Sequence, residues 1–351
     1  MSNIHDIEPF ESLDDGIHPA AMNVYAEGRE YEKQGKFEDA KKAFIEAKEF
    51  DALRFRAPEQ INTIIHFIAD KYHISVVPMK EYFESRSPHG MIGSELLHEH
   101  VHPNLDGYFL MADAFFETMR KEHFIDTSWN AGNIKPSEYY RAHWGMTALD
   151  SVYASSMIRR LKSRWPFNKE PQPALSLEYL HPHAKIDSVV AYVLLGEKTL
   201  EMGHIEMANY FEASGDLTSA FNEYRALMYT VPYLDLFYEP AIRISVKMKA
   251  YPQAMQVLQE LLHYQKTPFA YQWMGQVYLV MHETSKGIDF LEKARQMNPS
   301  NQVLLYNLGL AYYTDAQDEK GDKILDALKS ISSDRSLIND LENYRKGMHK
   351  K

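Results

Sequence analysis

The chain has 351 residues, 45% hydrophobic and 25% charged, a globular composition of about two domains that excludes a disordered or fibrous protein. Its 49 carboxylates against 38 lysines and arginines leave a formal net charge of −11, which argues against a broad nucleic-acid-binding surface. It has no cysteine, which excludes disulfides, thiolate metal sites and a cysteine nucleophile, and no run of 18 apolar residues that would span a membrane.

Residues 1–20 are expected to form an N-terminal loop. The acidic start, MSNIHDIEPFESLDDG, shows no apolar signal core, so the default compartment is the cytoplasm. Residues 21–54 carry Gly28, Tyr31, Ala40, Phe44 and Ala47, a ladder that returns later in the chain and reads as a helical hairpin. In residues 57–71, Pro58 lies just inside a helix start, and Ile61, Ile64, Ile65 and Ile68 follow at helical spacing. His73-Ile74-Ser75-Val76-Val77 then reads as a short buried strand, so helix and strand form half of an α/β unit. An isolated strand cannot bury itself, and a parallel sheet needs helices on both faces. Residues 55–126 are therefore expected to be the C-terminal part of an α/β domain whose front part lies outside the chain. After the loop PHGMIGSE, a helix is expected from about Leu105 to Glu122, with Leu110, Met111, Ala114, Phe115 and Met119 on its inner side.

Between those elements lies Leu97-His98-Glu99-His100-Val101-His102-Pro103-Asn104-Leu105-Asp106-Gly107, which supports three readings. His98 to His102 satisfies H-E-x-x-H, whose zinc chemistry needs both histidines one helical turn apart on one face. Pro103 follows at once and disfavours the helical region at His102, so the required helix is not expected. The plain reading is a set of surface histidines in a helix-entry loop, with Asn104 capping the next helix. In the third, Glu99 pairs with His102, three residues away and followed by Pro103, Asn104 and Gly107.

That block resembles the last block of the SGNH (GDSL-type) hydrolases, where an acid and a histidine precede the final helix. The resemblance extends to Leu110-Met111-Ala112 and back to Leu53-Arg54-Phe55-Arg56-Ala57-Pro58, covering roughly residues 50–125. It implies that His102 takes a proton from a serine hydroxyl while Glu99 fixes its tautomer and stabilises the imidazolium. The family's acid is usually Asp, and its nucleophile sits in a G-D-S-like block that this chain lacks. Ser12, Ser75, Ser85, Ser87 and Ser94 stand in no nucleophile-elbow context. The implied function is thus the acid–histidine end of an ester hydrolase, inactive as this chain alone. The alternative is an active serine esterase whose nucleophile-bearing part lies outside the chain. No cofactor or metal is implied.

Thr147, Leu149, Val152, Ile158 and Leu161 keep helical spacing, so 127–200 is expected to be a helical linker scaffold. Arg159, Arg160, Lys162 and Arg164 read as a solvated helix face. Pro166, Pro171 and Pro173 break the chain, and His181 and His183 alone are too few for a metal site. From residue 201 the ladder returns as Ala208, Phe211, Ala220, Tyr224, Leu227 and Pro232, then in degenerate form as Ile242, Ala254, Leu258 and Leu261. It is clearest at Gly275 and Gly309, 34 residues apart, each followed three residues later by Tyr278 or Tyr312. The small residue lets two antiparallel helices approach, and turns fall at Gln34-Gly35, Ser214-Gly215 and His282-Glu283.

The pattern resembles the tetratricopeptide repeat, whose period is 34 residues. The expected fold is mainly α: a tetratricopeptide-repeat helical solenoid over 201–335, a capping helix over 336–351, and an incomplete α/β N-terminal portion. The resemblance implies a groove, lined by the first helix of each hairpin, that holds a protein or peptide. Gln272, Gln276, Tyr306 and Tyr313 are its candidate contacts. Residues 269–281 contain no Lys or Arg, so the groove is expected to make aromatic or amide contacts rather than clamp a terminal carboxylate.

Overall fold

The computed structural model describes residues 1–13, 16, 19–125, 131–168, 170, 184–332 and 335–348, and their regular structure is helical, with no strand among the described residues. His181, His183, Pro171 and Pro173 fall outside the described residues. The chain forms two compact units, one of residues 1–144 and 158–172, the other of residues 145–157 and 173–351.

The first unit opens with the hairpin of α1 (Ala21–Lys33) and α2 (Phe37–Glu49). The two helices meet at Gly28, where an added Cβ would lie 2.7 Å from the ring of Phe44. Residues 1–13 form a loop that is nonetheless tied down. Asn3 N–H donates to His100 O at 2.9 Å, Ile4 N–H donates to Ile92 O at 3.0 Å, and Ile4 joins a core with Tyr25, Phe44 and Met91. Then come α3 (Glu59–Tyr72), α4 (Met79–Arg86) and α5 (Leu105–Lys121).

Two expectations are corrected here. Residues 74–77 form no strand: among the described residues the N–H groups of Ser75, Val76 and Val77 donate to no backbone carbonyl, so no ladder exists. Ile61, Ile64, Ile65 and Ile68 do share the spacing of a helix face, yet each is 44–47% exposed, and Ala69 alone in α3 is buried. On α5, Leu110 and Ala114 are buried as the spacing predicts, whereas Phe115 is 47% exposed. On α3 the helical period is real, but among the described residues no element covers its isoleucine face.

The second unit is built from α8 (Lys185–Leu194), the hairpins α9 (Leu200–Ser214)–α10 (Leu217–Thr230), α11 (Asp235–Lys247)–α12 (Tyr251–Tyr264), α13 (Pro268–Val280)–α14 (Thr284–Met297) and α15 (Gln302–Thr314)–α16 (Asp318–Ile331), and finally α17 (Arg335–Met348). Between α6 (Ser137–His143) and α8, helix α7 (Ala148–Lys162) contributes its first residues to this unit, with Leu149 packed on Val189, Val190 and Met207. Each hairpin turns on one left-handed residue: Gly215, Lys249, His282 and Ala316, at separations of 34, 33 and 34 residues. Gly35 occupies the same place in α1–α2.

At every one of these turns the next amide reaches back to a carbonyl five residues earlier, on Tyr31, Phe211, Ser245, Tyr278 or Tyr312, at 2.8–2.9 Å. This is the Schellman closure that satisfies the orphan carbonyls of a helix end. The degenerate copy over 235–268 therefore folds like the rest, although Ser245 replaces the aromatic and Lys249 replaces the glycine. The close approach of paired helices recurs at Gly275, where a Cβ would sit 2.6 Å from Leu291 Cγ and 2.9 Å from Gly287 O. Gly309 instead admits Leu341 of α17, 2.7 Å from the same hypothetical atom, so the glycine of the last hairpin receives the capping helix. The chain thus carries tetratricopeptide-like helical repeats, with their apolar faces stacked into continuous cores.

Candidate functional site

The acid–histidine segment lies in a tight loop, not a helix. His98 N–H donates to His102 O at 2.8 Å, and Leu97 and Pro103 form an isolated antiparallel bridge. The condition for an H-E-x-x-H metal site, two histidines on one helix face, is not met. Asn104 closes the loop: its Oδ1 accepts from Gly107 N–H at 3.0 Å, capping α5, while its Nδ2 donates to Ser94 O and Glu95 O. A side chain at Gly107 would place Cβ 2.3 Å from Leu96 O, so only glycine lets the loop lie on the helix start.

Within this frame Glu99 is buried and His102 is exposed, with side-chain exposures of 1% and 59%. Glu99 Oε1 accepts from the His102 amide at 2.7 Å and from the Val101 amide at 3.3 Å, and it contacts His102 Nδ1 directly. Burial pushes the Glu99 carboxyl up, but the adjacent His100 and these hydrogen bonds outweigh it and hold its pKa at about 2. A carboxylate on Nδ1 selects the tautomer with the proton there and leaves the acceptor lone pair on Nε2. Of the serines, Ser75, Ser85 and Ser87 donate their hydroxyls to Glu122, Tyr82 O and Glu95, and Ser12 Oγ accepts from Met22 N–H.

The support beneath Glu99 is polar and buried. His100 is 2% exposed, stacks on Phe10 with ring centroids 3.8 Å apart, and has its pKa lowered chiefly by burial. Arg56, also buried, donates to Asn3 O at 3.0 Å and to Asp51 at 3.1 Å. Glu99 Oε2, both ring nitrogens of His100, Asn3 Nδ2 and Arg56 Nε have no hydrogen-bond partner among the described residues. Lys162 donates to His98 O at 3.1 Å, so one residue of the basic helix face has a contact at this loop.

The second candidate is a cleft of about 660 Å³ in the repeat unit, lined by Val246, Trp273, Gln276, Tyr306, Leu310 and Tyr344 among others. Apart from His282 in a turn and Thr284 at the start of α14, its residues come from the first helices α11, α13 and α15 and from α17. None is Asp, Glu, Lys or Arg. Gln276 and Tyr306 both line this cleft. Gln272 lies outside the lining and accepts from Asn301 Nδ2 at 3.2 Å. Tyr313 is a core residue, 1% exposed, with its ring against Gly321 and its hydroxyl donating to Asp322 at 2.8 Å. Tyr313 and Tyr306 are seven residues apart and share nearly one face of α15, but Tyr313, near the helix end, lies against α16 at Gly321, whereas Tyr306, near its start, lines the cleft. Trp273 and Tyr344 were not foreseen. Their signal was available in part, since Trp273 is three residues before Gln276 on the same face.

A third cluster escaped the sequence reading altogether. His204 on α9 is buried between Asp150, 3.2 Å from Nε2, and Glu223, 2.7 Å from Nδ1. Burial pulls its pKa down, but the two carboxylates win and raise it to about 9. The imidazolium thus fastens α7, α9 and α10.

No family profile and no curated protein matches the sequence. Among solved structures, MamA residues 41 to the end from Desulfovibrio magneticus RS-1 are 17% identical, covering 53% of this chain and 96% of that one, with a TM-score of 0.35. YrrB, described as a TPR protein with an unusual peptide-binding site, is 13% identical over 46% of this chain and 93% of its own, with a TM-score of 0.34. The APC/C hetero-tetramer Cut9–Hcn1 is 14% identical over 99% of this chain and 66% of that one, with a TM-score of 0.38. The repeat assignment rests on the hairpins and their turns, not on these likenesses. No helix among the described residues is long and apolar enough to cross a membrane.

Proposed function

We propose that the second unit is a protein-binding scaffold whose cleft takes an uncharged peptide segment rich in aromatic or amide side chains. One observation carries this reading: successive first helices converge on a cleft lined by Trp273, Tyr306, Tyr344 and Gln276 with no formal charge. Such a surface rewards ring packing and amide hydrogen bonds, and it offers no cation to a terminal carboxylate. Panning a displayed peptide library on the purified chain tests it. Enrichment of uncharged aromatic or amide-rich sequences is expected, with Tyr306→Ala weakening the selected peptides about tenfold or more, roughly 1.4 kcal/mol. Selection of acidic C-terminal peptides, or of peptides indifferent to Tyr306→Ala, rejects the cleft.

A second reading is favoured by the Glu99–His102 pair. The loop is the acid–base end of an acyl-transfer site of the SGNH type, with its serine supplied from outside the described residues. Its support is the arrangement itself, a buried carboxylate on Nδ1 of an exposed imidazole. The chain alone is expected to hydrolyse p-nitrophenyl acetate no faster than its His102→Ala variant. Combined with a serine-bearing partner, turnover should vanish in His102→Ala and persist weakly in Glu99→Gln. Full turnover by the His102 variant in that complex discards the assignment.

A further inference from the structure

Among the described residues, the hydrogen bonds that Glu99 accepts all fall on one of its oxygens. Oε1 takes the amides of Val101 and His102 and contacts His102 Nδ1. Oε2 is buried and accepts none. An ionised carboxylate offers lone pairs on both oxygens, and a buried oxygen left bare carries the full cost of its lost water. The last torsion of a glutamate is also broad, so a carboxylate tied at one oxygen can rotate away from its partner. A ring nitrogen lies beside Oε2: His100 Nδ1, at 3.6 Å.

The His100 ring is fixed where a donor is needed. Its backbone carbonyl accepts from Asn3 N–H at 2.9 Å, one face stacks on Phe10, and Phe167 meets it edge-on with centroids 5.3 Å apart. Phe10 is itself anchored, its amide donating to Asp51 Oδ2 at 3.0 Å, and the same carboxylate accepts from Arg56. Burial, aided by the Arg56 guanidinium, keeps the ring neutral against the pull of Glu99 and Asp51, so it has one N–H to give. The other orphaned atoms of this cluster, Asn3 Nδ2 and Arg56 Nε, are both donors. With its proton on Nδ1 the ring serves the carboxylate and keeps a lone pair on Nε2, which suits neighbours that donate. With its proton on Nε2, a lone pair would sit beside a carboxylate and a further donor would go unmet.

We propose that His100 is a positioning residue: its ring gives the Nδ1 proton to Glu99 Oε2 and so holds the carboxylate in line with His102. The inference rests on the acyl-transfer reading for its purpose, but its test needs no turnover.

In the full chain labelled with nitrogen-15 at histidine, long-range proton–nitrogen correlations at neutral pH should show His100 as the Nδ1–H tautomer. Two variants then separate a donor from a packed ring. His100→Phe keeps a ring on Phe10 and loses the N–H, whereas His100→Asn keeps a donor near the Nδ1 position and loses the ring. In His100→Phe the Glu99 carboxyl should titrate about one unit or more higher, a tenfold gain in proton affinity. The His102 ring should move from the Nδ1–H form towards a mixture of tautomers. His100→Asn should bring both readouts back towards the parent. Preserved amide signals over 91–107 show that a variant folds, and His100→Phe decides alone if His100→Asn does not. An Nε2–H tautomer at His100, a folded His100→Phe chain with both readouts unchanged, or a folded His100→Asn chain that restores neither overturns the proposal. A serine-bearing complex with the expected spectra and no esterase activity would sink the acyl-transfer reading and leave His100 as the donor to Glu99.

Discussion

The hairpin helices of the repeat unit and helix α3 both carry apolar residues at helical spacing, and those residues meet opposite fates. Leu291, Leu304, Leu308 and Leu328 disappear into the stack, while Ile61, Ile64, Ile65 and Ile68 remain about half exposed. In the stack each unit supplies the face that covers the next. In the first unit, α3 carries a face for which the described residues hold no cover. Helical periodicity announces that an apolar face exists. It does not say which chain segment, or which molecule, will bury it.

The two units should also come apart in their response to pH, and the largest effect belongs to the repeat unit. His204 is held protonated with its pKa raised to about 9. A group whose folded pKa lies above its unfolded value near 6.5 contributes its full stability below that pH and loses it as pH rises through 9. Hydrogen exchange in α9 and α10 should report a loss on the order of 3 kcal/mol between pH 6.5 and 10. His204→Leu should cost about 3–5 kcal/mol at neutral pH, because Glu223 stays buried without its partner. It should also flatten the alkaline loss. An unchanged alkaline slope in that variant would remove the clamp from the account.

The first unit should fail in acid instead. Glu99 is held at about 2, so its contribution is present above roughly pH 4.5 and is lost as pH falls towards 2. His100, buried with its pKa lowered, adds to the same trend, because the unfolded chain takes up a proton below about 6.5 that the folded state resists. Exchange protection of the 91–107 loop should therefore fall on acidification by an amount on the order of 3 kcal/mol, while α13 to α16 stay protected. Glu99→Gln should remove part of that slope. Part should remain, because Glu59, where Lys48 and Lys80 outweigh burial, is also held at about 2.

Smaller effects distinguish two uses of small residues within the repeats. Gly275→Ala drives a Cβ into Leu291 and the Gly287 carbonyl, and should lower stability by about 1–3 kcal/mol in urea unfolding. Lys249→Gly relieves a left-handed lysine at the degenerate turn and should raise stability by up to about 1 kcal/mol. If both changes were neutral, close approach and turn geometry would not be what sets the 34-residue period.

The comparison also separates what can be read along the chain from what cannot. The ladder of Gly28, Gly275 and Gly309, the turns at Gly35, Gly215 and His282, the cap at Asn104 and the pairing of Glu99 with His102 all involve residues within a few turns of each other. Their geometry follows from helix period, capping chemistry and a tight loop, so a linear reading reaches them. The supposed strand at 73–77 was misread for a complementary reason. Its residues favour extended backbone, which they adopt, but a strand needs a neighbour that propensity cannot supply.

What the sequence by itself determined is therefore the paired helices of the repeats, their hairpin period and the local acid–histidine loop, because each depends on hydrogen bonds and packing between near neighbours. Only the tertiary structure decided that Tyr313 belongs to the core while Tyr306 and Trp273 open onto a cleft, and that Gly309 receives the capping helix. It alone brought Asp150 and Glu223 to His204 and left α3 bare. Those outcomes depend on which distant segments meet, and burial, desolvation and charge pairing take effect only once they do.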